Sequence, residues 1–157
     1  MAEESASSPA EPQSAVIASR DVPTALAGLT FANGKPNMEA RYYMYLFSAS
    51  WCGPCVSLMP QIVAAYPEMK ADGVEVILIG CDATPELMDE YLQRHGAAFS
   101  GVHVGDPGLK NLPGYIEAKA IPEVIVVDRA GDVVTINHGM IALEWRKIIS
   151  EYEAKRK

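Results

Sequence analysis

Two cysteines, Cys52 and Cys55, are separated by Gly53 and Pro54 and preceded by Trp51. Cysteine attacks a disulfide only as its thiolate, and a free thiol with a pKa of about 8.5 is mostly protonated at neutral pH. Position changes that balance. A Cys52 that opens a helix meets unpaired backbone N–H groups and the positive end of the helix dipole, both of which favour negative charge. Cys55, three residues on, is placed to hydrogen-bond that thiolate and then to attack a mixed disulfide. The expected division of labour is Cys52 as exposed nucleophile and Cys55 as sheltered resolving thiol, with Trp51 covering one side and Pro54 stiffening the turn. The other reading of the pair is a metal knuckle, which wants a second Cys-x-x-Cys or a histidine pair. His95, His103 and His138 are isolated from one another. A Cys-x-x-Cys between a strand and a helix reads as redox, and no metal site is assigned.

The elements around the pair follow from hydrophobic patterning. Tyr42 to Ser48 is an almost unbroken apolar and aromatic run, which suits a central strand covered on both faces. Cys55, Met59, Ile62, Val63 and Tyr66 recur at helical spacing, so a helix is expected from about Cys52 to about Ala71, kinked at Pro60 and ended by Gly73. Val74 to Gly80 is a second strand. Thr84-Pro85 starts a helix, with Thr as N-cap and Pro at the first helical position, carrying Leu87, Met88, Tyr91, Leu92 and His95 on one face up to Gly96. A strand around Val102 to Val104 and a short helix around Leu109 to Tyr115 come next. Val124 to Val127 and Val133 to Ile136 are strands joined by the turn signal Asp128-Arg129-Ala130-Gly131-Asp132. A last helix buries Trp145, Ile148, Ile149 and Tyr152. Before the first long strand the pattern is mixed: a short strand near Val16, a helical turn after Pro23, and a loop at Asn33-Gly34-Lys35-Pro36. Strand–helix alternation implies parallel pairing, and the hairpin adds antiparallel strands. The expected architecture is a single α/β domain over residues 16–157 behind a disordered Ser/Pro/Glu-rich tail at 1–15.

Composition bounds the function. Of the 157 residues 49% are hydrophobic and 21% charged, as in a globular domain, and the net charge is −7. An acidic surface argues against nucleic acid or anionic lipid as main partner, and no apolar run approaches the roughly 18 residues of a membrane span. Three cysteines are too few for a disulfide scaffold. No secretory signal follows Met1, so the protein is either cytoplasmic or expressed without a removed signal, and the tail is either solvated or a tether to an envelope anchor.

Trp51-Cys52-Gly53-Pro54-Cys55 matches the active site of thioredoxins, and Tyr45 to Cys55 (YLFSASWCGPC) resembles the tryparedoxin and nucleoredoxin branch. It is also similar to exported bacterial thioredoxin-like proteins that reduce disulfides in the cell envelope. Pro60 falls where thioredoxins carry a helix-kinking proline, Ile121-Pro122 where they carry a cis-proline, and Gly139 where a glycine follows the last strand. The stretch from Gly80 to Ala120 resembles the helix–strand insertion of the exported and tryparedoxin-like branches. The resemblance implies a thioredoxin fold, a central mixed sheet flanked by helices with that insertion before the cis-proline. It implies Cys52 and Cys55 as catalytic residues, supported by Trp51, Gly53, Pro54, Ile121, Pro122 and Glu123, with the Ile121 backbone facing the cysteines. No cofactor is implied beyond the redox-active Cys52–Cys55 disulfide. The implied partners are disulfide-containing proteins and an upstream reductase or membrane electron donor, met by a monomer.

Two positions depart from the pattern. Leu46 stands where thioredoxins place a buried Asp thought to handle the proton of the resolving cysteine. Glu123 follows the expected cis-proline where relatives often have Thr; it reads as a proton acceptor, as a like charge that raises the thiol pKa by repulsion, or as a solvent-pointing acid. Cys81, at the end of the second strand, reads as a buried small hydrophobe, or as a secondary thiol at the sheet edge where ligands gather. Asp82 reads as a surface loop acid, His138 as a surface histidine, and Met59 and Met88 as core packing.

Reduction of protein disulfides is the expected function, since Cys-Gly-Pro-Cys is the reducing-type motif of the family, as in thioredoxin at roughly −270 mV. An envelope oxidase or isomerase differs in redox poise, not in residues. A thiol peroxidase wants a lone cysteine in a Thr-x-x-Cys context with an arginine, and a non-catalytic binding module needs neither thiol. A bacterial envelope location is favoured, with the cytoplasm as alternative.

Overall fold

A computed structural model describes residues 21–137 and 140–156. In chain order the elements are α1 (Val22–Leu26), β1 (Phe31–Ala32), β2 (Tyr42–Ser48), α2 (Gly53–Ala71), β3 (Val74–Gly80), α3 (Pro85–Arg94), β4 (Ser100–His103), a 3₁₀ turn (Pro107–Asn111), β5 (Glu123–Asp128), β6 (Val133–Asn137) and α4 (Ile141–Lys155). The strands form one mixed sheet in the order β1-β4-β3-β2-β5-β6. β2 and β3 run parallel in register from Tyr42↔Val74 to Ser48↔Gly80, β4 is parallel to β3, and β5 and β6 are antiparallel.

The uninterrupted apolar runs explain why β2 and β3 lie at the centre: all seven residues of each are buried. Alternation along β2 sends Tyr42, Met44 and Leu46 into a core closed by α2, α3 and α4, and Tyr43, Tyr45 and Phe47 into a second core closed by α1 and the 3₁₀ turn. α2 buries Cys55, Leu58, Met59, Ile62, Tyr66 and Met69 on one face, and its two internal prolines, Pro60 and Pro67, are exposed on the other. α4 buries Ile141, Trp145 and Ile149, with Ile148 and Tyr152 partly buried against them.

Several boundaries differ from the sequence expectation. α2 begins at Gly53 with Cys52 as its N-cap. α3 buries Met88, Tyr91 and Leu92, but Leu87 is exposed on the rim of the apolar arc. The helix expected around Leu109 to Tyr115 is instead the 3₁₀ turn at Pro107–Asn111. Asp106 caps it from Gly108 N–H, and Leu112 turns extended before Pro113, where the proline ring disfavours helix. β1 has no counterpart in the sequence reading. It is a two-residue edge strand ahead of a turn in which Asn33 (φ 62°) and Gly34 (φ 87°) take left-handed backbone. The strand expected near Val16, the tail at 1–15, His138 and Gly139 lie outside the described residues. Among the described residues no helix is long and apolar enough to cross a membrane, and no group of three or more His, Cys, Asp or Glu is placed to hold a metal ion.

Candidate active site

The carboxyl end of β2 delivers the chain directly to the amino end of α2, and the cysteines occupy that junction. Cys52 has extended backbone and its sulfur accepts the N–H of Cys55 at 3.3 Å, satisfying a donor that the first turn of a helix leaves unpaired. Its thiol lies 3.8 Å from the carbonyl oxygen of Ile121, and the Ile121–Pro122 peptide is cis. Both sulfurs are free thiols. Cys52 is 8% exposed, less open than the sequence suggested, and Cys55 is 1% exposed. Trp51, next to Cys52, is 68% exposed. Burial pushes the Cys55 thiol up to about 12, and the hydrogen bond with Cys52 adds to the effect. Cys55 therefore keeps its proton at neutral pH.

The loop before Cys52 is held by a residue assigned from sequence to the surface. Asp82, directly after β3, is 3% exposed; its carboxylate accepts the Ser50 N–H at 3.2 Å and the Ser50 hydroxyl at 2.5 Å. A buried carboxylate requires such donors, and here they fix the residue next to Trp51. His103 supports the same corner. Gly105 N–H donates to its Nδ1 at 3.0 Å, which leaves the ring proton on Nε2 to be donated to the Asp82 carbonyl at 2.6 Å. The adjacency of Asp82 to Cys81 at a strand end was the available signal for this role; nothing local marks His103.

Cys81 is half-buried against the second core, its thiol 3.7 Å from the Ile79 carbonyl. Burial raises its pKa, and Asp82 adds to the rise, so it is a poor nucleophile. Leu46 is 1% exposed within the first core. Glu123 opens β5 opposite Phe47, half-buried, and alternation groups it with Ile125 and Val127 on the sheet face away from α2. Beside the pair a cleft of about 460 Å³ is lined by Pro54, Ser57, Leu58, Gln61, Ile121 and Pro122. Its walls are the first turns of α2 and the segment before β5.

Residues 40–133, more than half of the chain, match the family described as thioredoxin-like, and the chain belongs to the thioredoxin-like family. Over 108 residues it is 26% identical to the thiol-disulfide oxidoreductase ResA of Oceanobacillus iheyensis, a match covering 69% of this chain and 55% of ResA. Over 101 residues it is 30% identical to nucleoredoxin of Xenopus laevis, covering 62% of this chain and 24% of that protein. The crystal structure of thioredoxin from Wuchereria bancrofti superposes with a TM-score of 0.58 at 25% identity, covering 74% of this chain and 83% of that one. The chain thus spans about half the length of ResA and about a quarter of nucleoredoxin.

Proposed function

We propose that the chain is a thiol–disulfide oxidoreductase that reduces protein disulfides by cycling Cys52 and Cys55 between dithiol and disulfide. The observation that carries this reading is the asymmetry of the pair: one sulfur at a helix cap accepting an N–H, the other buried and holding its proton. The Cys52 thiolate attacks a substrate disulfide, one substrate sulfur leaves, and a mixed disulfide remains. Cys55, three residues on and within one helical turn, attacks the Cys52 sulfur and releases the second substrate sulfur. Trp51, Gly53, Pro54, Ile121 and Pro122 shape the surface on which an extended substrate segment lies, with the cleft between Leu58 and Ile121 taking an apolar side chain beside the target disulfide. Glu123 follows Pro122 at the start of β5, on the opposite face of the sheet.

Its partners on this reading are disulfide-containing proteins and an upstream reductase or membrane electron donor. The resemblance to exported thioredoxin-like proteins favours a cell-envelope location. Mixed-disulfide trapping with Cys55→Ser in cells tests both points: covalent adducts on Cys52 that dithiothreitol releases are expected, in the envelope fraction. Purified protein that neither reduces insulin nor forms any adduct would overturn the reading.

A further inference from the structure

Two buried hydroxyls, one at the end of β2 and one on α3, are not used by the cysteine mechanism. Ser48, the last residue of β2, is 1% exposed, and its Oγ lies 2.9 Å from the hydroxyl of Tyr91 on α3, which is 0% exposed. The Ser48 hydroxyl also lies close enough to the Cys55 sulfur to favour its charged form, acting against the effect of burial. Burying two hydroxyls is costly unless each is paired, and here Ser48 and Tyr91 pair with each other beside Cys55. The other buried acids among the described residues are engaged elsewhere. Glu75 accepts from the Tyr66 hydroxyl and the Asn37 N–H, and Asp82 accepts from Ser50. On β2 the neighbouring position on the α2 side of the sheet is the apolar Leu46.

We propose that Tyr91 and Ser48 act on the resolving half-reaction: Tyr91 donates to Ser48 Oγ, Ser48 donates to the Cys55 sulfur, and the two hydroxyls together solvate the Cys55 thiolate as it attacks. The inference rests on the oxidoreductase reading above. Each hydroxyl has one proton to give, so a chain running toward sulfur leaves both oxygens satisfied when Cys55 is charged. Neither hydroxyl removes the thiol proton. Burial pushes Tyr91 up to about 12, so it remains a donor across the neutral range. In the mixed disulfide the Cys55 proton passes to solvent, the Cys55 sulfur bonds to Cys52, and the bond from Cys52 to the substrate sulfur breaks. The leaving sulfur takes the electron pair and a proton from solvent. The two cysteines are oxidised by two electrons and the substrate is reduced by two. The titratable groups facing this chain are Cys52 at the cap of α2, Asp82 after β3, and His95 one turn along α3, whose ring lies edge-on to Tyr91 at 5.0 Å.

The test uses the full chain, reduced, in single turnover with an aryl disulfide whose thiolate is coloured. The first release of colour reports attack by Cys52, and the second reports resolution by Cys55. Tyr91→Phe keeps the ring and removes only the hydroxyl. It is expected to slow the second phase roughly tenfold relative to the first, and to move the pH midpoint of the second phase upward, because Ser48 loses the donor that polarises its own hydroxyl toward the charged sulfur. Ser48→Ala is expected to slow that phase at least as much, and the double variant no further, because the two act in series. A second phase in Tyr91→Phe at the wild-type rate, or equal slowing of both phases, would overturn the proposal. Tyr91→Phe decides alone if Ser48→Ala does not fold. Wild-type protein with no first phase would sink the oxidoreductase reading instead.

Discussion

At the level of single residues the site is an arrangement of donors around sulfur. The Cys55 N–H points at the Cys52 sulfur, while Cys55 is sealed from water and keeps its proton up to about 12. Alkylation by iodoacetamide at neutral pH is therefore expected to label Cys52 at least about tenfold faster than Cys55 or Cys81, read by peptide mass spectrometry, because only a thiolate reacts. Equal labelling of the three would contradict the assignment of the nucleophile. Asp82 acts one step removed, through Ser50. Asp82→Ala leaves the half-buried Ser50 N–H and hydroxyl without their carboxylate partner and is expected to lower stability by about 1 kcal/mol in denaturant unfolding. The cysteine pair was legible in the sequence because its chemistry is local, within one turn of helix. Ser48, Tyr91 and Asp82 were not. The Ser48–Tyr91 contact joins residues 43 apart and the Ser50–Asp82 contact residues 32 apart, and in the sequence Tyr91 is one more apolar ring on a helix face.

At the level of elements, Met88 of α3 seats tightly on Gly80 at the end of β3. Gly80 lies beneath Met88, and a methyl group added there would collide with the Met88 side chain, which is itself only 2% exposed. Gly80→Ala is expected to destabilise the fold by about 1–3 kcal/mol, the cost of overpacking a filled core. Since Gly80 pairs with Ser48 in register, the same change is expected to disturb the Ser48–Tyr91 contact. Thermal melts of Gly80→Ala, alone and with Met88→Val, check this: the smaller partner should restore part of the loss. The strands β2 and β3 could be read to the residue, since long apolar runs bounded by Arg41, Gly73 and polar turns leave no alternative frame. β1 could not. Two residues carry no period, and they become a strand only because β4 offers a free edge and Asn33 donates to the Ala97 and Phe99 carbonyls at 2.8 Å. The 3₁₀ turn was misplaced because its start depends on the Asp106 cap, which apolar spacing does not register.

Across the whole molecule, all seven tyrosines have their hydroxyl pKa raised, in each case first of all by burial. In the unfolded chain these phenols ionise near 10, whereas in the folded protein Tyr42 and Tyr91 hold their protons to about 12. Between those values the unfolded chain binds fewer protons than the folded one, so stability falls as pH rises. Cys55 acts in the same direction. Phenolate absorbance is therefore expected to stay low above pH 10 and then rise together with the loss of helical circular dichroism, rather than titrate gradually beforehand. The edge of the sheet far from the hairpin has its own consequence. Phe31 and Ala32 fold back onto β4, while the Thr30 N–H reaches Asp106 and the Val22 N–H reaches the Arg129 carbonyl, so the leading stretch of chain works as a clasp over the inserted strand. Unfastening it would bare the backbone of β4 yet leave β2 flanked by β3 and β5. Amides of Gly101 and Val102 should then exchange with deuterium well before those of Leu46 and Phe47, and the protein would fray at this margin while its sulfur chemistry kept running.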